Sequence, residues 1–256
     1  MLNWVWAAAS CAGTSHIRAG TKKDDAFAIA LPQDGTHRFG SVVCDGAGSA
    51  KYGRLGAYVT ARIFSTNLRR YFLKSAGLPS EETLFEWLDE VRDTLGFIAN
   101  SRNAMLRDFA TTLVLSAVSK NRVCVGHIGD GGVVAQCNER GDWVPLSWPE
   151  HGEYASTTYF VTDSKTPRLR VVEDEIRVGT IVSFSDGIER LVLDFEKKEA
   201  PPPFFNSMAT ALNRSNSIGK DVELSEQLST FVRSDRVTQR SDDDITIVIA
   251  QRTPSP

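Results

Sequence analysis

Short apolar runs bounded by turn residues recur along the chain and predict β-strands. The first run, Trp4 to Cys11, predicts a strand, and the alternation of apolar positions in Ala26 to Leu31 predicts a second. The polar, glycine-flanked segment from Gly13 to Lys23 predicts a loop between these strands, and Pro32 to Thr36 predicts a turn. The other predicted strands lie at 42–44, 110–118, 123–128, 132–136, 181–184 and 245–249.

Two long helical patterns interrupt the strands. The first is predicted at 53–74, and the second begins at Ser80, an N-cap residue followed by Glu81 and Glu82 in the first turn. Shorter helices are predicted at 188–195, 204–212 and 224–232. Strands lead, helices interrupt, strands resume and one strand closes the chain, an order that predicts an α+β fold of antiparallel sheets with helices packed outside.

The segment from Asn138 to Pro167 shows little periodicity and is rich in Trp, Pro, Gly, Ser and Thr. It predicts a long surface flap, and long loops in compact domains are often functional. Trp143 and Trp148 either line a substrate groove or anchor this flap on the apolar core.

Composition narrows the class of protein. The 256 residues carry a formal net charge of −3, which gives no reason to expect nucleic acid as a partner. The four cysteines form no Cys-x-x-Cys pair and predict buried, reduced thiols. No apolar run reaches the length of a membrane span. We therefore expect a cytoplasmic protein with one domain over residues 1–252 and a frayed tail at 253–256.

Aspartates stand at the ends of four predicted strands. Asp45, Asp130 and Asp186 follow apolar runs and precede glycine, and Asp243 precedes the last strand. Carboxylates gathered at one rim repel each other unless a cation joins them. Together with Asp25 they offer oxygen ligands only, which suit Mg²⁺ or Mn²⁺ better than zinc. Two such ions activate water and orient a phosphate for in-line attack, so the pattern indicates phosphoester hydrolysis.

The order of these motifs resembles the metal-dependent type 2C family of protein serine/threonine phosphatases, in its compact bacterial branch. The resemblance extends from Gly13 to Ile249. Its motifs are Gly13-Thr14-Ser15-His16, Asp24-Asp25-Ala26, Asp45-Gly46-Ala47-Gly48-Ser49, Ala110-Thr111-Thr112, Gly129-Asp130-Gly131, the segment Glu153 to Thr162, Ser185-Asp186-Gly187 and Asp243-Asp244-Ile245-Thr246.

The resemblance implies a four-layer α-β-β-α sandwich and a role for each carboxylate. Asp45 would bridge two metal ions, assisted by the Gly46 carbonyl, and Asp186 and Asp243 would complete the first site. Asp25, with or without Asp24, would hold metal-bound waters. Asp130 would join Asp186 at a looser third metal.

Three features depart from the family pattern. Ala47 stands where the family commonly has a histidine associated with protonation of the leaving group, and no arginine stands at the usual spacing before Asp25. Gly131-Gly132 also stands where Ser-Arg often follows the aspartate. His16 or a metal-bound water are the candidates for the proton donor, and His16 and Arg18 are the candidate phosphate contacts. The candidate catalytic residues are therefore Asp25, Asp45, His16 and Arg18. His127 is interpreted as structural, and His151 belongs to no motif.

These patterns predict an enzyme that hydrolyses phosphoserine or phosphothreonine in a phosphorylated protein with two or three Mn²⁺ or Mg²⁺ ions. A cognate serine/threonine kinase as partner is implied by the family resemblance alone. An aspartyl-nucleophile phosphohydrolase would need an Asp-x-Asp pair after a strand, which is lacking. The alternative outside enzymes is a pseudophosphatase, or a regulatory module that binds phosphoproteins without turnover.

Overall fold

Two β-sheets facing each other form the centre of the protein. The structure is a computed structural model that describes residues 3–32, 37–137, 141–151, 158–163 and 167–253. The strands among these residues are β1 (Asn3–Cys11), β2 (Ala26–Ala30), β3 (Phe39–Cys44), β4 (Leu113–Val118), β5 (Val123–Ile128), β6 (Gly132–Gln136), β7 (Trp143–Ser147), β8 (Arg170–Asp174), β9 (Thr180–Phe184), β10 (Gly219–Lys220) and β11 (Ile245–Thr253).

Helices flank the strands in the sequence. They are α1 (Thr14–Ala19), α2 (Gly53–Lys74), α3 (Glu81–Ser101), α4 (Asp186–Val192), α5 (Pro202–Asn213), α6 (Val222–Val232) and α7 (Asp235–Thr238), with a 3₁₀ turn at Leu106–Phe109. Helix α3 begins as its sequence predicts, because the Ser80 hydroxyl accepts the backbone N–H of Thr83. Its buried stripe includes Leu84, Leu88 and Leu95.

The first sheet has the strand order β10-β1-β11-β9-β6-β7 and the second has the order β2-β3-β4-β5-β8. Neighbouring strands are antiparallel, except that β10 runs parallel to β1. A core of residues from both sheets, including Phe39, Val125, Ile181 and Val248, fills the space between them. Helices α2 and α3 cover the outer face of the second sheet, and α5 and α6 cover that of the first. The predicted four-layer α+β sandwich is confirmed.

Local predictions hold where apolar periodicity is long and fail where it is short. The predicted loop from Gly13 to Lys23 contains helix α1, whose six residues bury no side chain and so leave no apolar stripe in the sequence. The predicted flap contains β7, which pairs with β6 and is interrupted by Pro145. Thr253 ends β11 opposite Asn3. The predicted turn at 33–36 and the tail at 254–256 lie outside the described residues.

Two further predictions concern cysteines and membranes. Cys11, Cys44 and Cys124 are buried free thiols, and Cys137 is a half-buried one. Among the residues with described positions, no helix combines the length and apolar character needed to cross a membrane.

Two helical glycines give a matched test of the packing. A Cβ on Gly56 in α2 would lie 2.1 Å from the backbone oxygen of Phe109, whereas a Cβ on Gly96 in α3 would meet no atom within 4 Å. We expect Gly56→Ala to lower the free energy of unfolding by about 2 kcal/mol or more, since the 3₁₀ turn must move. Gly96→Ala should raise it by about 0.5–1 kcal/mol through helix propensity. Urea unfolding of both variants checks this, and a stable Gly56→Ala protein would contradict the packing.

Candidate metal centre

Strand register brings the aspartates from both sheets to one rim. In the second sheet, Ala26 pairs with Cys44, so Asp25 and Asp45 are neighbours. Leu113 pairs with Ile128, which places the loop carrying Asp130 beside the start of β4. In the first sheet, Phe184 pairs with both Gly132 and Ile247. This pairing sets Asp186 next to the Asp130 loop and to the start of the last strand.

Three carboxylates form the centre of this rim. Asp45, Asp130 and Asp186 each offer an oxygen, and these three atoms all lie within 4.8 Å of one another. One oxygen of Asp130 and one of Asp186 are buried without a hydrogen-bond partner among the described residues. The donor set is entirely oxygen, which fits Mg²⁺ or Mn²⁺. Asp130, expected at an outer position, thus lies within 4.8 Å of both Asp186 and Asp45.

Hydroxyl groups fix the positions of Asp25 and Asp45. The Ser185 hydroxyl donates to Asp25 Oδ2 at 2.8 Å and accepts the backbone N–H of Thr246 at 2.9 Å. The Thr111 hydroxyl donates to the backbone oxygen of Asp45 at 2.8 Å, and Thr112 Oγ1 accepts the Asp45 N–H at 3.0 Å. The sequence identifies Ser185, Thr111 and Thr112 only as members of motifs, because their roles depend on contacts between strands.

Gly46 allows helix α2 to approach the rim. A Cβ at this position would lie 2.4 Å from the carbonyl carbon of Gly53, a separation that atoms do not adopt. The residue also forms an isolated antiparallel bridge with Thr111. Glycine is therefore required here by packing, and its backbone stays beside Asp45, where the sequence places a carbonyl ligand.

Asp244 links the last strand to the loops that precede the rim. Its carboxylate accepts the backbone N–H of Gly13 at 2.8 Å and that of Asp24 at 2.5 Å. Its neighbour Asp243 lines the same cleft as Asp130 and Asp186 but does not belong to the tight cluster of three. The position of Asp25 therefore depends in part on the last strand, through Asp244 and Asp24.

Burial and mutual repulsion disfavour ionisation of the aspartate side chains in this cluster. Burial first, and the charges of neighbouring aspartates next, raise the pKa values of Asp45 and Asp186 well above the ordinary value for a carboxyl. Burial also raises the pKa of Asp25 to about 6, and those of Asp130 and Asp243 rise for the same reason. A divalent cation would favour the ionised form of every member, so the electrostatics fit a metal centre.

Lys23 supplies a positive charge on the inner side of the cluster, the side where Asp25 and Asp244 lie. Its Nζ donates to the hydroxyl of Ser10 and to the backbone oxygen of Asp25, both at 2.6 Å. Burial lowers the pKa of Lys23, while the nearby Asp25 and Asp244 act to raise it. No sequence motif singled out this lysine, because its function depends on where the loop folds.

The two residues predicted as phosphate contacts lie away from the three central carboxylates. His16 is on α1, with Nδ1 at 2.9 Å from the Thr21 hydroxyl and Nε2 at 3.7 Å from Asp244. Arg18 is exposed and pairs with the exposed Asp242 at 3.3 Å. Neither residue contacts Asp45, Asp130 or Asp186 among the contacts found in the described part of the chain.

His127 positions the Asp130 loop through a hydrogen bond to its backbone. Its Nδ1 lies 3.0 Å from Arg170 Nη2, which can only donate, so Nδ1 accepts and Nε2 carries the proton donated to the backbone oxygen of Asp130 at 3.1 Å. The Ser147 hydroxyl also lies 2.6 Å from Nδ1. Burial and the Arg170 charge lower the pKa of His127 to about 3. This agrees with the structural role expected for His127.

The flap contributes two aromatic anchors and one residue at the rim. Trp143 is buried against Phe205, and its indole N–H donates to the side chain of Asn206 at 2.7 Å. Trp148 packs on Phe195. Both tryptophans therefore make contacts that anchor the predicted flap on the apolar core, which is the second of the two roles considered for them. His151 reaches the cleft beside Asp130, and residues 152–157, within the predicted flap motif, lie outside the described residues.

The protein is an α-β-β-α sandwich with a carboxylate-lined rim, and comparison with known proteins gives its family. The family model described as protein phosphatase 2C matches residues 12–233. Serine/threonine-protein phosphatase 3 of Escherichia coli (strain K12) is 32% identical over 257 residues, covering 97% of this chain and 98% of that protein.

Solved structures share the fold at low sequence identity. A bacterial serine phosphatase matches with a TM-score of 0.66 at 16% identity, covering 98% of both chains. The serine/threonine phosphatase Stp1 from Staphylococcus aureus matches with a TM-score of 0.64 at 16% identity, covering 99% of this chain and 96% of that one. The chain belongs to the protein phosphatase 2C family, and the predicted family and enzyme class are confirmed.

The buried neutral state of His127 makes stability depend on pH. Its folded pKa of about 3 lies below the ordinary 6.5, so the unfolded chain binds the proton first and stability is lost as pH falls below 6.5. The loss approaches about 1.4 kcal/mol per pH unit. We expect the stability advantage of the native chain over His127→Gln to shrink by about 1 kcal/mol between pH 7.5 and 5.5. Urea unfolding with chelator measures it, and a constant difference would contradict the buried neutral imidazole.

Proposed function

We propose that this protein hydrolyses phosphoserine and phosphothreonine in phosphorylated proteins with a binuclear Mn²⁺ or Mg²⁺ centre. The observation that carries the proposal is the convergence of Asp45, Asp130 and Asp186 within 4.8 Å at the rim between the sheets. The naming of the Escherichia coli relative as a serine/threonine-protein phosphatase supports the choice of substrate. When bound, such ions lower the pKa of a bridging water and offset charge on the phosphoryl oxygens.

Each carboxylate has a proposed place in this centre. We assign Asp45 as the bridge between two ions, with the Gly46 carbonyl beside it, and Asp186 and Asp243 as further ligands of the first ion. Asp25, held by Ser185, would retain metal-bound water, with Asp24 beside it. The closeness of Asp130 to Asp186 supports a third ion between them.

We also propose that residues 1–252 act as one catalytic domain. Asp25 and Asp45 flank strands of the second sheet, Asp186 and Asp243 flank strands of the first, and Asp130 lies in the loop that joins β5 of the second sheet to β6 of the first. Neither sheet alone would carry the complete set, so the site requires both. A cognate serine/threonine kinase that supplies the phosphorylated substrate, and a cytoplasmic location, are the expectations that accompany this function.

Loss of one central carboxylate tests the metal assignment. Asp186→Asn removes one charge while keeping the shape of the side chain, so the fold should persist and metal affinity should fall. We expect turnover of a phosphothreonine peptide to drop by more than about 100-fold, beyond the usual effect of a residue that only supports a ligand. Asp89→Asn, an exposed position on α3, is the matched control and should keep full activity. Unchanged Mn²⁺-dependent turnover and calorimetric binding in Asp186→Asn would refute the assignment.

A metal series on chelated protein tests the proposed cofactor. The all-oxygen donor set predicts that Mn²⁺ or Mg²⁺ restores hydrolysis of 4-nitrophenyl phosphate and of a phosphothreonine peptide. Restoration by zinc alone would indicate a different site. Metal binding that is tight yet never accompanied by hydrolysis of either substrate would favour the alternative of a phosphoprotein-binding pseudophosphatase.

A further inference from the structure

A cleft beside the metal centre contains an imidazole and a buried carboxylate that the proposed function leaves without a role. The cleft has a volume of about 380 Å³, and its lining includes Asp130, Asp186 and Asp243 together with His151 and Glu189. His151 is the only histidine among the described residues that line it. The family resemblance leaves the proton donor open because Ala47 replaces the usual histidine, so the imidazole in this cleft is a candidate for that role.

Glu189 lies one helical turn after Asp186 on α4, so both side chains emerge on the same side of the helix. Its side chain is only 5% exposed, and Oε1 lies 3.4 Å from His151 Nε2. The other oxygen, Oε2, is buried without a hydrogen-bond partner among the described residues. A carboxylate this buried is costly unless a cationic partner offsets it, and His151 is the partner within ion-pair distance.

His151 is held by backbone contacts as well as by Glu189. It forms an isolated antiparallel bridge with Thr158, whose hydroxyl donates to the backbone oxygen of Glu150 at 3.1 Å. The Glu150 N–H donates to the backbone oxygen of Gly129 at 3.0 Å, directly before Asp130. The segment carrying His151 is therefore tied to the loop that carries a proposed metal ligand.

We propose that His151, oriented by Glu189, is the general acid that protonates the leaving serine or threonine oxygen. This inference rests on the proposed phosphatase function and adds a catalytic residue to it. The Glu189 carboxylate, 3.4 Å from Nε2, orients the ring, as a carboxylate partner does for histidine in other acid–base sites. No hydrogen bond occupies Nδ1 of His151 among the described residues and the side chain is 38% exposed, so Nδ1 is the nitrogen left to meet the substrate.

The proposed step transfers one proton from His151 to the leaving oxygen. A water oxygen, already without one of its protons, bonds to phosphorus while the bond from phosphorus to the seryl or threonyl oxygen breaks. The electron pair of that bond passes to the leaving oxygen, which takes the Nδ1 proton of His151. The products are hydrogen phosphate and the free hydroxyl side chain, and the neutral imidazole regains a proton from solvent at Nδ1.

His16 is the rival donor, and its environment differs. Its Nδ1 is engaged with the Thr21 hydroxyl, and its Nε2 faces the carboxylates of Asp24 and Asp244 at 3.9 and 3.7 Å. It therefore has neighbours at both nitrogens, whereas His151 has one nitrogen engaged. His16 is also not among the described residues lining the cleft that contains Asp130 and Asp186.

Two substrates with different leaving groups separate proton donation from every other role. A phosphothreonine peptide releases a strongly basic alkoxide that needs a proton, whereas 4-nitrophenyl phosphate releases a phenolate that is stable near neutral pH. With saturating Mn²⁺, we expect His151→Asn to lower kcat on the peptide by about 100-fold or more, the usual contribution of a general acid. On 4-nitrophenyl phosphate the change should stay below about threefold, since no acid is needed.

Matched variants make the assignment specific. His37→Asn is the control for loss of an imidazole, because His37 precedes β3 whereas Asp45 follows the opposite end of that strand, and it should leave both rates unchanged. Glu189→Gln should lower the peptide rate selectively but less than His151→Asn does. In the double variant the two losses should not add, since Glu189 acts through His151.

The proposal is overturned if His151→Asn keeps the peptide rate or loses both substrates equally. It is also overturned if His16→Asn shows the selective loss of peptide turnover, or if Glu189→Gln shows that loss while His151→Asn does not. In either case the substituted residue would be the acid. Failure of the proposed function is a separate result, because the native chain would then hydrolyse neither substrate with Mn²⁺ or Mg²⁺.

Discussion

The structure depends on holding several carboxylates of like charge at one rim of a β-sandwich. Asp45 comes from one sheet, Asp186 from the other and Asp130 from the loop that joins the two, so the cluster exists only while both sheets keep their register. A one-residue slip in any of these strands would turn its side chains to the opposite face and withdraw its carboxylate. The apolar core between the sheets therefore determines the geometry of a site that contains no apolar group.

The protein offsets this repulsion unevenly. Lys23, the Ser185 hydroxyl and two backbone N–H groups act on Asp25 and Asp244 at the inner side. Unpartnered oxygens remain on Asp130 and Asp186 at the cleft and on Asp25 at the inner side. Buried polar atoms normally have partners, so these three oxygens are where a cation contributes most. The polypeptide thus holds the carboxylates in place and leaves one oxygen of each of these three for metal ions.

Much of the fold and part of the site could be predicted from sequence because strands and long helices carry a repeating apolar pattern. The ends of those strands indicated Asp45, Asp130 and Asp186. Helix α1 was missed because its six residues bury nothing. Lys23 and Glu189 were missed for another reason: each is defined by partners distant in sequence, and neither belongs to a pattern of neighbouring residues. Such contacts arise from register and packing, which a single sequence does not display.

The attachment of the flap shows how chemistry can vary on a constant rim. The segment from Trp148 to His151 is joined to the Gly129–Asp130 loop by a backbone hydrogen bond, and it contacts Glu189 on α4 and Phe195 after that helix. It therefore moves with the carboxylate cluster without forming part of either sheet. A side chain on such a segment can change without disturbing strand register, whereas the backbone of Ala47 lies against Gly53 at the start of α2. A proton donor on the flap can thus differ while the strands that position the metal ligands stay the same.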